Sequence, residues 1–263
     1  MSKVKFKFCG AQQIEEGEVN LVEDIIKWNG KHYENNELAL DVPNTGNIYG
    51  TLLNYKGVLA ALGNSVRELP YKQAPSAPIL YIKPANTIIA RGMSIPLPSE
   101  VEELEVGAAL GIVIGKRATG VREEQALEYI AGYTIVNDIS VPHDSVYRPA
   151  VKQKARDGFC PVGPWIMDRD AVENPDRLEI QVYINGVLRQ ENNTENLVRP
   201  VARLIADVTE FMTLNEGDIL LVGVPENPPL VKDGDIIRIE IEGIGSLENK
   251  VVLEKELVRG GAR

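Results

Sequence analysis

Three segments decide how this chain folds: Val106-Gly-Ala-Ala-Leu-Gly-Ile-Val-Ile-Gly-Lys116, Ala131-Gly-Tyr-Thr-Ile-Val-Asn-Asp-Ile-Ser140 and Lys154-Ala-Arg-Asp-Gly-Phe-Cys-Pro-Val-Gly-Pro164. Ala108 to Ile114 is an almost unbroken apolar run, the pattern of a strand covered on both faces. A second run, Tyr133 to Val136, ends in Asn137 and Asp138, whose side chains are costly to bury unless something pairs with them. Two apolar strands delivering an acid to an interior point suit a hard metal ion or a cationic partner. The same Asp can also end a strand in a simple turn. These residues alone leave both readings open.

Outward from this centre the chain reads as strand-rich. Val4, Phe6 and Phe8 alternate with Lys3, Lys5 and Lys7, and Asn29-Gly30 joins Ile25–Trp28 to Lys31–Tyr33 as a two-residue hairpin. Residues 1–46 are predicted to form a small antiparallel amino-terminal module, with 47–263 as the larger domain. There, Tyr49–Tyr55 and Ile79–Lys83 read as strands, and Arg122–Ile130 as a helix with Ala126, Leu127 and Ile130 on one side. Leu178–Ile184 and Val187–Gln190 flank Asn185-Gly186 as a second hairpin. Val201, Leu204, Ile205, Val208 and Phe211 recur at helical spacing after Pro200. The fold class is mixed and β-rich (α+β), nearer a rolled or closed β architecture than a doubly wound one.

Composition narrows function by exclusion. A net charge of −10 over 263 residues argues against sequence-independent nucleic-acid binding, which needs basic patches. No apolar run reaches the roughly 18 residues of a membrane span, and the first eight residues lack the apolar core of a signal peptide. Cys9 and Cys160 suggest no disulfide framework, so the expected compartment is the cytoplasm.

Several short motifs occur in one order: Ile82-Lys-Pro84, Val113-Ile-Gly-Lys116, Asn137-Asp-Ile-Ser140, Lys154 three residues before Asp157, Pro161-Val-Gly-Pro164, Ile184-Asn-Gly186 and Leu214-Asn-Glu-Gly-Asp218. In this the chain resembles the fumarylacetoacetate hydrolase family, over roughly residues 47–255. Ser145-Val-Tyr-Arg-Pro149 places the likeness in the branch serving 4-hydroxyphenylacetate degradation. The resemblance implies a rolled β-sandwich and decarboxylase or isomerase activity on oxo-di- and oxo-tricarboxylic acids. It also implies a homodimer, or a heteromer with a paralogous subunit. In the family, Mg²⁺ or Mn²⁺ is held by a Glu-x-Glu pair and the Asp of Asn-Asp, and polarises a 2-oxo or 2-hydroxy acid.

Carried over by position, Asp138 matches the metal-binding Asp and Lys154 the family lysine, and these two are the catalytic candidates. Arg148 is the candidate to fork onto a substrate carboxylate. The Glu-x-Glu positions are Gly107 and Ala109, so the expected metal site is incomplete. The family's proton-handling His and Glu fall on Val58 and Ala61, its Arg after Asn-Asp-x-Ser-x on Pro142, and the threonine of its Gly-Thr-Pro loop on Val224. Glu103 and Glu105 replace the missing pair only with a four-residue slip of the strand or a large bulge. Two outcomes follow. The chain is a decarboxylase/isomerase subunit with a weakened site, or a degenerate paralogue in which Asp138 and Lys154 form a relic ion pair beside a complete partner. Either way the isolated chain is expected to bind Mg²⁺ no better than a surface carboxylate, and to show little or no activity alone. Glu at 107 and 109 together is expected to restore metal binding if the register is as read.

Overall fold

A computed structural model describes residues 1–43, 46–68, 72–143 and 150–260. The chain opens with β1 (Ser2–Phe8), β2 (Ile14–Asn20), β3 (Ile25–Trp28), β4 (Lys31–Glu34) and β5 (Leu40–Asp41). These pair antiparallel, and Asn29 and Gly30 take the positive φ that the hairpin requires. Next come β6 (Ile48–Leu52), α1 (Lys56–Leu62), β7 (Ile79–Lys83), β8 (Ile88–Ile89), β9 (Ser94–Leu97), β10 (Leu104–Glu105) and β11 (Ala108–Ile114). β12 (Ile130–Asn137), α2 (Val151–Lys154), β13 (Cys160–Asp168), β14 (Glu179–Ile184), β15 (Val187–Asn193) and α3 (Val201–Thr209) follow. The chain ends in β16 (Ile219–Leu221), β17 (Leu230–Val231), β18 (Ile236–Ile241), β19 (Gly245–Leu253) and α4 (Glu254–Gly260).

The larger sheet runs β4-β3-β2-β1-β13-β12-β11-β16-β6-β7, and the smaller runs β15-β14-β18-β19-β9. Both are open. The antiparallel strands of the first 46 residues extend the larger sheet through β1, where Val4 faces Met167. β11 sits centrally, and its two faces explain its unbroken apolar run. Ala108, Leu110, Ile112 and Ile114 share a core with Val182 of β14, Ile239 of β18 and Leu204 of α3. Ala109 and Val113 face a second core with Ile48, Val136, Ile219 and Leu221. Trp165 of β13 ties the two sheets, its indole N–H donating to the Ile244 carbonyl at 2.8 Å.

Two sequence expectations change. Arg122–Ile130 is not an α-helix: Glu123–Tyr129 is 3₁₀, Ala126 alone of its residues is buried, Leu127 is exposed, and Ile130 opens β12. A 3₁₀ turn rises about 2.0 Å per residue and so spans more distance with few residues. Phe211 falls past the end of α3 and is exposed, while Val201, Leu204, Ile205 and Val208 are buried as the spacing predicts.

Ile112 is wholly enclosed and Leu127 is not. Ile112→Ala is therefore expected to cost about 2–5 kcal/mol in denaturant unfolding, and Leu127→Ala no more than about 0.5 kcal/mol. Equal losses would contradict the two-faced burial of β11.

Candidate active site

Asp138 follows directly on β12, and its carboxylate is completely enclosed. A buried carboxylate needs cations and hydrogen bonds, and three groups supply them. Lys83, the last residue of β7, places Nζ 2.8 Å from Oδ1, with both side chains fully buried. Lys154, the last residue of α2, places Nζ 2.7 Å from Oδ2. The Tyr81 hydroxyl also donates to Oδ2. Tyr81 and Lys83 stand two apart on β7 and so point to one side of the strand.

The lysines differ in what they have left to offer. Lys83 Nζ also donates to the Lys154 carbonyl at 2.7 Å and lies 3.3 Å from the Ile139 carbonyl, so its three protons are accounted for. It is a structural clamp. Lys154 has Asp138 as its one acceptor among the described residues, keeps 14% side-chain exposure, and lies 5.1 Å from the centre of the Tyr81 ring. Its remaining protons are available to an anion.

Burial by itself would push the Asp138 carboxyl up. The charges and hydrogen bonds of Lys154 and Lys83 outweigh that and hold it well below the usual carboxylate range. Tyr81 goes the other way, raised well above its ordinary value by burial and then by the charge of Asp138, so it stays a donor. Cys160 lies buried nearby with its thiol pushed up to about 12, chiefly by burial. One carboxylate against two ammonium groups leaves the cluster with a net charge of about +1.

The cluster opens on a cavity of about 240 Å³ whose wall is largely apolar, and Val58, Ala61 and Val224 are part of it. Asp138, Lys154, Tyr81, Gly107, His143 and Thr51 also line it. The Thr51 hydroxyl is buried without a partner among the described residues, a polar atom ready for a ligand. Two glycines permit this packing. A Cβ on Gly50 would lie 2.0 Å from the Tyr81 ring, which crosses the strand at that point, and a Cβ on Gly107 would lie 2.3 Å from the Asp138 carbonyl oxygen.

Asp138 and Lys154 are thus brought together, whereas Arg148 lies outside the described residues. Sequence reasoning passed over Lys83, Tyr81 and His143. A lysine inside the apolar strand Ile79–Lys83 was a usable signal, because burying it demands a partner. The register places Gly107 beside Asp138, whose N–H donates to the Gly107 carbonyl at 2.8 Å, so no four-residue slip occurs. Glu105 reaches the cavity wall from β10 without one, and Glu103 stays on the surface.

Comparison with known proteins settles the family. Residues 47–252 match the model described as fumarylacetoacetate (FAA) hydrolase C-terminal. The chain belongs to the fumarylacetoacetate hydrolase family. This member is 43% identical over 212 residues to the 4-hydroxyphenylacetate degradation bifunctional isomerase/decarboxylase of Escherichia coli, covering 81% of this chain and 48% of that protein. It therefore spans about half the length of the curated relatives it matches first. Its fold superimposes on 2-hydroxyhepta-2,4-diene-1,7-dioate isomerase from Mycobacterium marinum with a TM-score of 0.77, at 26% identity, over 97% of this chain and 99% of that one. A maleylpyruvate hydrolase from Sphingobium, solved in complex with manganese(II) and pyruvate, superimposes with a TM-score of 0.76 at 26% identity, over 95% of this chain and 99% of that one.

The donor set of this family member does not fit a divalent cation. Gly107 and Ala109 bring no ligand atoms, and both oxygens of Asp138 are taken by lysines. Among the described residues no cluster of three or more His, Cys, Asp or Glu side chains could hold a metal. The expected rescue by Glu at 107 and 109 also meets an obstacle: a side chain at 107 collides with the Asp138 backbone unless the strand moves.

Lys83→Met leaves a buried carboxylate with one cation fewer and is expected to cost roughly 3–5 kcal/mol. The depressed Asp138 pKa gives the pH dependence its sign. Above the unfolded-state value near 3.9 the stabilisation is complete, and it is lost as pH falls below that toward the folded-state value. The difference in unfolding free energy between wild type and Asp138→Asn should therefore shrink from pH 6 to pH 2.5. A difference that stays constant across that range would show that Asp138 is not held ionised by its lysines.

Proposed function

We propose that this chain is a subunit of the decarboxylase/isomerase of 4-hydroxyphenylacetate degradation. Its cavity takes an oxo-di- or oxo-tricarboxylic acid with the substrate carboxylate on Lys154 and no divalent cation. The observation carrying this reading is the Asp138 carboxylate shared between Lys83 and Lys154. In the family that Asp helps hold a metal beside the substrate, whereas here ammonium groups contact both of its oxygens, and the Asp138–Lys83–Lys154 cluster keeps one cation in excess. Anionic substrates suit such a site, and the apolar wall suits the carbon chain between their charged ends. Arg148 is the candidate for the second carboxylate.

A second reading rests on the same ion pair together with Val58 and Ala61, which stand at the family's proton-handling positions. On that reading this chain is a degenerate paralogue paired with a complete metal-binding subunit. It also agrees with the chain's matching about half of its bifunctional relatives.

Calorimetry with Mg²⁺ and Mn²⁺ tests the metal-free site. No stoichiometric binding is expected at micromolar concentration, and binding that disappears in Asp138→Ala would overturn it. Pyruvate titrated in the presence of a chelator should bind the isolated chain and lose affinity in Lys154→Met. Absence of pyruvate binding, with a stable complex forming on co-expression with a Glu-x-Glu-bearing paralogue, would favour the second reading. Light scattering should give at least a dimer, since soluble homo-oligomers most often close with two-fold symmetry. A monomer mass at high micromolar concentration would contradict that assembly.

A further inference from the structure

We propose that His143 is the group that moves a substrate proton in this cavity. The inference rests on the reading that Lys154 receives the substrate carboxylate, and adds to it the residue that acts on the neighbouring carbon.

His143 is half-buried and lines the same cavity as Asp138 and Lys154. Its Nδ1 lies 3.0 Å from the Val141 carbonyl oxygen. A carbonyl only accepts, so Nδ1 carries the hydrogen and the basic lone pair belongs to Nε2. Ser140 braces this arrangement, with Oγ 3.3 Å from Nδ1 and its own hydroxyl donating to the Val141 carbonyl at 3.0 Å. No described residue bonds Nε2. Among the described residues the ring is therefore gripped by one edge only, as a positioned base requires.

The rest of the cavity strengthens the assignment. The chain has two histidines, and the other, His32, is exposed on β4 in the amino-terminal module. Val58 and Ala61, which stand at the family's proton-handling positions, carry no titratable group. Glu226, also in the lining, has Oε2 enclosed from solvent and Oε1 accepting from Asn192 at 3.1 Å. The substrate class follows from the step that His143 and Lys154 together support: a 2-oxo acid with a C–H bond next to its carbonyl. Nε2 takes that proton, and the C–H electron pair becomes the carbon–carbon double bond of the enolate. Negative charge moves to the oxygen, facing the Lys154 ammonium group. Returning the proton to the same carbon gives exchange; in a conjugated substrate, returning it two carbons further along gives isomerisation. No redox partner is needed.

Proton NMR of pyruvate in D₂O with a chelator, corrected for the buffer blank, tests this on the full chain. Wild type should accelerate loss of the methyl signal. His143→Gln should slow it at least about tenfold, at the modest end of general-base effects, with pyruvate affinity within about twofold of wild type. His143→Asn, whose amide can still donate to the Val141 carbonyl, should be equally slow, which separates loss of the base from loss of the loop. Leu127→Ala, outside the cavity lining, should exchange at the wild-type rate. The proposal is overturned if His143→Gln or His143→Asn exchanges like wild type, or if wild type binds pyruvate without exchanging it. Failure of wild type to bind pyruvate at all would instead overturn the underlying assignment of Lys154, and this inference with it.

Discussion

A carboxylate buried between two ammonium groups holds the centre of this protein together. Asp138 alone would be expensive to enclose, and Lys83 alone more so, because each would be an uncompensated charge away from water. Together with Lys154 they make each other tolerable and join three parts of the chain: β7, the end of β12 and the helical turn before β13. The backbone enters the bargain as well, since Lys83 binds the carbonyl of the very residue, Lys154, whose side chain approaches Asp138 from the other side. Removing any one member strands the others.

That arrangement bears directly on chemistry. A site built on three carboxylates collects a divalent cation, and the cation then attracts the substrate anion. Here Asp138 is matched by two lysines, so the cations beside the cavity are part of the chain. Gly107 fits this arrangement through its backbone. With no side chain there, the strand packs against the Asp138 backbone at a distance that leaves no room for a Cβ. A side chain at 107 therefore requires the strand to move, which is why Glu at that position alone is a poor route to a metal site.

The surroundings divide cleanly between support and action. Gly50 lets Tyr81 lie across its strand, and Tyr81 holds Asp138 on the side facing the cavity. Lys83 spends its donors on structure. Among the described residues, Lys154 and His143 keep an uncommitted face toward the same space, one a cation and the other a base, and the apolar wall strengthens the pull of that cation on an anion by excluding water.

Much of the fold was legible from sequence because it depends on local periodicity. The apolar run of β11 predicts a strand covered on both faces, and the Asn-Gly pairs predict two-residue hairpins. Alternation in Ile237, Ile239 and Ile241 predicts a one-sided strand, and all of these are present. Asp138, Lys154 and the missing Glu pair could be placed by motif order, because they lie close together in the chain. The partners of Asp138 could not. Lys83 lies 55 residues earlier, on a strand separated from β12 in the sheet by β6, β16 and β11, and only the assembled sheet brings it to the carboxylate. His143 looks like an ordinary loop residue until the turn through Ser140 and Val141 fixes its tautomer and faces it into the cavity. Sequence by itself determined which strands exist; tertiary structure decided which charges meet, because a buried charge selects its partner by proximity in space.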